Sequence, residues 1–339
     1  MHPADSAERS DAVAPDAVPP IDELTVVVVD WNLPDHTVRC VRALREDGVP
    51  ADRIVVVENG PTEENWARIS HELSSSVLVH VETNVGFAAA NNIGARALPG
   101  AAYLLVNNDA FVHVPGSVAR LLASLSRDRV GVAVPRLLND DLSLQPTVSP
   151  FMTPITALVR ASGMSRFVPE PWKPTLTTHW DHGSSREIDQ AIGAVMLIEG
   201  RLWDELRGLR ETSFMYAEDL DLCWRARQRG QTTWFEAKAE FVHLGGTSSS
   251  ARWSGRERAR HVSQAERFMI RDHLSPGNAA ATLAFMRLGV AGRLAYYRLA
   301  RNQAAAAEYR GSLDGLNGAG DGRASETRRA PAVDIVRPG

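Results

Sequence analysis

Between residues 24 and 107 one pattern recurs four times: a short run made mostly of aliphatic and β-branched residues, closed by a polar cluster. The runs cover residues 25–29, 54–57, 77–81 and 103–106, and helical stretches at 38–44, 66–73 and 88–97 separate them. A strand with one wet face would alternate apolar and polar residues, whereas continuous Val/Ile/Leu runs belong to strands covered on both sides. The rhythm therefore predicts an α/β fold, doubly wound around a parallel sheet.

In such sheets ligands sit beyond the carboxyl ends of the strands. The polar residues after each run are thus the first candidates, and all four clusters are expected along one edge. They are Asp30, Trp31 and Asn32; Glu58, Asn59 and Gly60; Asn84, Val85 and Gly86; and Asn107, Asn108 and Asp109. The last cluster places a carboxylate where it can coordinate a divalent cation bridging a diphosphate, although such a tripeptide on its own is more often an Asx turn. The stretch 84–94 is not the Gly-x-Gly-x-x-Gly of dinucleotide sites, because its glycines are too few and wrongly spaced. Its small residues at a helix start would let a sugar nucleotide approach the backbone.

Further along, Glu218, Asp219 and Asp221 set three carboxylates within four positions at a helix start. A helix N-terminus stabilises acids there for structural reasons alone, and carboxylates sheltered by aromatic neighbours are also a way to build a base of adjusted pKa. His243 ends an apolar run and precedes a Gly/Ser/Thr turn suited to phosphate or metal, although a lone His at a strand end can be structural. His179, Trp180, Asp181 and His182 have metal-like residue types but fall in a proline-rich, irregular stretch, 140–186, and are expected to form a surface loop.

Taken in order, these pieces resemble the inverting glycosyltransferases of family 2, with the look of bacterial rhamnosyltransferases and galactofuranosyltransferases. The resemblance spans about residues 24 to 248 and rests on Val26-Val27-Val28-Val29-Asp30-Trp31-Asn32, Val57-Glu58-Asn59-Gly60, the Asn84 to Gly94 run, Asn107-Asn108-Asp109, Gly193-Ala194-Val195-Met196-Leu197-Ile198, Glu218-Asp219-Leu220-Asp221, and His243. It implies a GT-A fold, a Rossmann-like nucleotide-sugar domain, with Mg²⁺ or Mn²⁺ as cofactor. Carried across by position, it makes Asp109 the surviving carboxylate of a metal-binding Asp-x-Asp, His243 a further metal ligand and Asp219 the catalytic base, with Glu218 helping to position the acceptor. Asp30, Glu58 and Asn84 would hold base and ribose beside Trp31, Asn32, Asn107 and Asn108, and Gly86 and Asn92 would line the donor pocket. Asn107 stands where the first Asp of the motif would be and removes a charge. Glu58 replaces an Asp on the nucleobase side and is one methylene longer.

The implied activity is transfer of a sugar, L-rhamnose from dTDP-rhamnose as the first expectation, to an acceptor hydroxyl in glycan, cell-wall or glycolipid biosynthesis. The alternatives are a UDP-hexose used on a soluble natural-product acceptor, or a carbohydrate-binding relative without turnover. A nucleotidyltransferase should show a Gly-rich, Lys/Arg-bearing loop after the first strand, and Asp30-Trp31-Asn32-Leu33-Pro34 has neither feature.

Charge adds a partner class. The chain carries 37 basic and 41 acidic residues, a formal net charge of −4, yet residues 252–301 hold ten Arg against three acids. Without a recognisable nucleic-acid module, this basic region points to an anionic lipid surface and away from nucleic acid. Residues 283–299 suit an amphipathic helix lying on such a surface, or equally a helix packed on the catalytic domain with its arginines solvated. The expected organisation is a disordered lead (1–22), a catalytic domain (23–250), a basic helical extension (251–310) and a disordered tail (311–339). Two cysteines, Cys40 and Cys223, give no disulfide framework and suit a reducing compartment. With no run of about 18 apolar residues to span a bilayer, the expected location is cytoplasmic, peripheral at the inner face of the cell membrane.

Overall fold

In the computed structural model, residues 18–178, 180–211, 216–245, 253–318 and 332–338 are described. The four apolar runs become β1 (Leu24–Asp30), β2 (Ile54–Asn59), β3 (Val77–Val81) and β4 (Ala102–Asn107), with α1 (Pro34–Glu46), α2 (Glu63–Glu72) and α3 (Phe87–Ala97) between them. They are parallel in the order β3-β2-β1-β4, with Val28 of β1 level with Val56 on one side and Val106 on the other. Successive side chains point to opposite faces, so Val26 and Val28 enter one apolar layer with Leu44 and Ile69, while Val27, Val55 and Val57 enter a second under α3. Each such fully buried aliphatic side chain contributes roughly 1.5–3 kcal/mol. The small residues of α3 let it lie close on the sheet: a Cβ on Gly94 would come within 2.5 Å of Val27 Cγ1 and 2.8 Å of Val57 Cγ2.

After β4 the sheet becomes mixed. β5 (Ala110–Val112), α4 (Ser117–Ser124), β6 (Val130–Leu138), β7 (Leu144–Gln145), β8 (Val148–Ser149), α5 (Pro154–Ser162) and α6 (Lys173–Leu176) lead to β9 (Arg186–Ile188), β10 (Gln190–Ala191) and β11 (Val195–Glu199). Then come α7 (Gly200–Leu206), α8 (Glu218–Gln228) and β12 (Thr232–His243). β11 runs antiparallel to both β4 and β6, and β12 runs parallel to β6. The apolar run at 188–198 breaks into three pieces because Asp189 turns inward to accept the Phe151 N–H at 2.9 Å and Gly193 turns its own N–H toward Asp219. β12 is a single long strand whose pairing with β6 shifts between Glu236 and Glu240. A bulge kinks and twists a strand without ending it.

Among the described residues three helices follow: α9 (Gly255–His273), α10 (Pro276–Leu299) and α11 (Gln303–Leu316). α9 starts in a capping box between Ser254 and Glu257. Their shared core with α5 is Ala157, Ile270, Ala279, Leu283, Met286 and Leu316. The loose tail expected from residue 311 is corrected at both ends. Gly311 lies inside α11, where a Cβ would sit 2.1 Å from the Arg256 carbonyl oxygen, so this glycine permits close helix packing and does not break the helix. β13 (Val333–Val336) adds antiparallel to β3, with Val333 opposite Val81. The expected surface loop at 179–182 is corrected as well, since His182 is buried, stacked on Trp180 at 4.2 Å and edge-on to Phe235 at 5.5 Å. His179 and the first 17 residues of the expected lead lie outside the described residues. Among the described residues, no helix is long and apolar enough to cross a membrane.

Candidate active site

The carboxyl ends of β1, β2 and β4, the turn before α3 and the start of α8 border one cavity of ≈ 850 Å³. Trp31, Asn59, Asn84, Gly86, Asn107, Asn108 and Asp109 line it. Asn59 organises one wall: its Oδ1 accepts the Val85 N–H at 2.9 Å and its Nδ2 donates to Asn84 Oδ1 at 3.1 Å. Asn84 Oδ1 also accepts the Gly86 N–H at 3.0 Å. Gly86 has φ +95°, a backbone state that disfavours side chains, and it delivers the chain into the first turn of α3 at the cavity wall. A helix N-terminus bordering a cavity favours anionic groups such as a diphosphate.

Asn108 turns away and is buried, its Nδ2 donating to Asp30 Oδ1 at 2.6 Å and Thr37 Oγ1 at 3.1 Å. These bonds fix the β4 end and leave the side chains of Asn107 and Asp109 to face His243. His243 Nε2 lies 3.3 Å from Asp109 Oδ1 and 3.4 Å from Asn107 Nδ2. The other ring nitrogen, Nδ1, is 2.8 Å from Gln145 Oε1. Gln145 spends its own Nε2 on the Asn139 side-chain oxygen (3.0 Å) and the His243 carbonyl (3.1 Å), which assigns Oε1 to the ring and the proton to Nδ1. With Nδ1 turned to Gln145, Nε2 is the ring nitrogen that faces the Asp109 carboxylate. Asn107 Oδ1 is buried and has no hydrogen-bond partner among the described residues. A carboxylate, an amide oxygen and an imidazole held from behind by a second hydrogen bond fit a divalent cation.

Across the cavity, Tyr216 and Ala217 take left-handed backbone angles, φ +80° and +66°, before α8. Strain of this kind persists where surrounding structure over-determines it. It delivers Glu218 and Asp219 to the cavity lining. Asp219 Oδ2 accepts the Gly193 N–H at 2.6 Å and Oδ1 accepts the Leu220 N–H at 2.8 Å. Burial holds the Asp219 carboxyl above its ordinary range, opposed by those backbone N–H bonds. Glu218 is also raised, by burial first and then by the Asp219 charge beside it. Its Oε2 is buried without a partner among the described residues, so Glu218 is the better protonated of the pair and Asp219, with two donors, the better base. Asp221, the third acid of the cluster, is held low by His273 (2.7 Å), Arg225 (2.6 Å) and Arg210 and ties α8 to α9.

Four expected donor-site residues do not line the cavity. Asp30 and Glu58 are fully buried. They are register partners on β1 and β2, so their side chains share one face of the sheet. Burial and then the Asp30 charge push Glu58 up to about 9. A protonated Glu58 can donate to Asp30, which already accepts from Leu33 N–H, Thr37 and Asn108. Asn32, at φ +56°, accepts the Thr62 N–H at 3.0 Å and Asn65 Nδ2 at 2.8 Å and braces the α2 start. Asn92 is buried between the Leu209 backbone and Glu211, where it secures the loop after α7. In the sequence Asn59 is a strand-end candidate without an assigned role, and Gln145 is not a candidate. Asn59 stood in a strand-end cluster and was findable by alternation with Glu58, but Gln145 is 98 positions from the histidine it orients.

The far end of the cavity lies against the helical extension, where Thr156, Ala157 and Arg160 of α5 meet Met286, Gly289 and Arg293 of α10.

Residues 25–159 match the model of Glycosyl transferase family 2. Over 253 residues the chain is 24% identical to the N-acetylglucosaminyl-diphospho-decaprenol L-rhamnosyltransferase of Mycobacterium tuberculosis, covering 71% of this chain and 80% of that protein. It is 24% identical over 212 residues to the low-salt glycan biosynthesis hexosyltransferase Agl10 of Haloferax volcanii, covering 61% and 62%. The solved mannosyltransferase PcManGT from Pyrobaculum calidifontis, in complex with GDP-Man and Mn²⁺, superposes with a TM-score of 0.54 at 16% identity, covering 88% of this chain and 86% of that one. At that identity the likeness speaks for the fold.

Proposed function

We propose that this chain, which has the GT-A fold and resembles the family 2 glycosyltransferases and the rhamnosyltransferases among them, transfers a sugar from a nucleoside diphosphate to an acceptor hydroxyl with inversion. The proposed donor is dTDP-L-rhamnose, with a UDP-hexose as the competing choice. The proposed acceptor is a lipid-linked or free carbohydrate of glycan, cell-wall or glycolipid biosynthesis. The observation that carries this reading is that Asp109, His243 and Asp219 all line one cavity.

The reaction has two demands. The acceptor hydroxyl must lose a proton as it attacks the anomeric carbon, and the departing diphosphate must have its gathering charge neutralised. Asp219, held by two backbone N–H groups and half-buried, accepts that proton as general base. Glu218, protonated beside it, donates a hydrogen bond toward the acceptor. Asn84, Gly86 and the first turn of α3 receive the diphosphate side of the donor, and Trp31 offers a ring against the nucleoside. Asp109, His243 and Asn107 would hold Mg²⁺ or Mn²⁺, which when bound supplies Lewis-acid neutralisation of the leaving group.

A transfer and hydrolysis screen over nucleotide sugars, with Mn²⁺ and with chelator, tests this reading. Turnover with one donor, lost in chelator and restored by Mn²⁺, is the expected result. Asp219→Asn should retain donor binding and lose transfer. Full turnover in chelator would remove the metal role, and full turnover of Asp219→Asn would remove the base.

A further inference from the structure

Eight of the fifteen exposed large hydrophobic side chains among the described residues fall in just two segments. Ile155, Leu158, Met164, Phe167 and Trp172 lie on α5 and the turns after it, and Leu288, Tyr296 and Leu299 lie on α10. The two helices touch, since a Cβ on Gly289 would come within 2.8 Å of Ala161 Cα and Arg293 donates to the Arg160 carbonyl at 2.8 Å. Leu288 and Tyr296 are 66% and 64% exposed and Leu299 85%, values unusual for residues on a regular helix packed against its domain.

The solvent side of α10 is apolar along its length. Ala284, Leu288, Ala291, Ala295 and Leu299 are all exposed and follow one another at three- and four-residue steps. That is one stripe, about 22 Å long at 1.5 Å per residue. The opposite side, with Leu283, Met286 and Gly289, is buried. A helix apolar on both sides leaves one side to be covered by something else.

Charge selects the cover. Residues 276–301 contain four Arg and no acid, and residues 150–168 contain two Arg and no acid, in a chain whose net charge is −4. Arg298 and Arg301 are exposed beside the stripe. A second copy seated on the same face in a two-fold dimer would set these cations against one another. An anionic bilayer meets both properties at once, taking the apolar side chains into its headgroup and acyl boundary and pairing the arginines with lipid charge.

We propose that the outer side of α10, together with α5 and the turns that follow it, is a docking surface for an anionic lipid bilayer. The same two helices wall the far end of the cavity, through Ala157, Arg160, Met286 and Arg293. Docking therefore sets that end at the bilayer, where an amphiphilic acceptor can enter with its lipid left in the membrane. This last clause rests on the proposed transfer activity, while the docking itself does not.

Co-sedimentation of the full chain with vesicles of phosphatidylcholine and phosphatidylglycerol (about 7:3), compared with phosphatidylcholine alone, tests the proposal. Binding to the anionic vesicles that weakens with salt is expected. Leu288→Glu with Leu299→Glu should lower partitioning more than tenfold, and Arg298→Gln and Arg301→Gln about fivefold each. All four side chains are exposed, and circular dichroism and donor hydrolysis should stay at the parent level in these variants. Absence of anionic-vesicle binding, or equal binding to neutral vesicles, would overturn the proposal. So would a dimer in light scattering that Leu288→Glu dissolves while vesicle binding is unchanged. If donor hydrolysis is absent in the parent chain while vesicle binding is intact, the transfer reading fails and the docking surface stands.

Discussion

The backbone N–H of Gly193 donates to Oδ2 of Asp219 at 2.6 Å, and nothing larger than glycine fits between them, because a Cβ at 193 would stand 2.8 Å from Asp219 Cβ. The β10–β11 turn thus sets the position of the proposed base. Gly193→Ala should displace the Asp219 carboxylate by a fraction of an ångström to an ångström and lower kcat about 100-fold. Nucleotide affinity, measured by calorimetry, should hold within about twofold, because the diphosphate end of the cavity is untouched. A variant with parent kcat would show that this contact does not position the base.

Gln145 fixes the proton of His243 on Nδ1. Gln145→Leu removes that partner, and Mn²⁺ affinity should fall about 10- to 100-fold. The readout is the Mn²⁺ midpoint in a binding titration followed by the metal's own paramagnetic resonance. An unchanged midpoint would mean that the imidazole needs no bond from behind.

The buried Glu58 gives a stability signature with a definite sign. Its folded pKa, about 9, lies above the ordinary value, so the folded chain retains a proton that the unfolded chain releases. Its contribution is full below about pH 4.5 and is lost as pH rises through 9. Glu58→Gln keeps the shape and a donor for Asp30 without the titration. It should flatten the pH dependence and stabilise the chain by a few kcal/mol near pH 8, while changing little near pH 4. Urea midpoints at the two pH values make the comparison.

Ala217 holds a left-handed backbone at the cap of α8, φ +66° and ψ 0°. Glycine takes that state at far lower cost, so Ala217→Gly should stabilise the fold by roughly 1 kcal/mol. A urea series with an unchanged slope and a higher midpoint is the expected outcome. A lower midpoint would mean that the Ala217 methyl contributes packing worth more than the strain.

Much of this architecture is legible in the chain because β1 to β4 are strands largely buried on both sides, and runs made mostly of aliphatic residues satisfy such positions. The strand ends also follow from sequence, but the direction of each side chain does not. Glu58 and Asn59 are adjacent, and a period of two sends the first inward to Asp30 and the second to the cavity. The same step separates buried Asp30 from cavity-lining Trp31. One-residue resolution of that kind comes from register, which the apolar runs do not specify at their ends. Asn92 misleads for another reason: its helix start faces the cavity, but a turn and a half later the side chain faces the 209–211 loop. The pairing of Asp109 with His243 crosses 134 positions and is created by β5 lying against β12, a contact that neither segment announces.

β13 contributes no buried side chain, for all four of its residues are exposed. Its attachment to β3 is a ladder of peptide groups and little else. A ladder without an apolar anchor opens at small cost, so the amide protons facing it should trade with deuterium well before those shared by β1 and β4. While it is closed, the border of the sheet passes from β3 to a strand of four residues, a short template for any stray extended peptide.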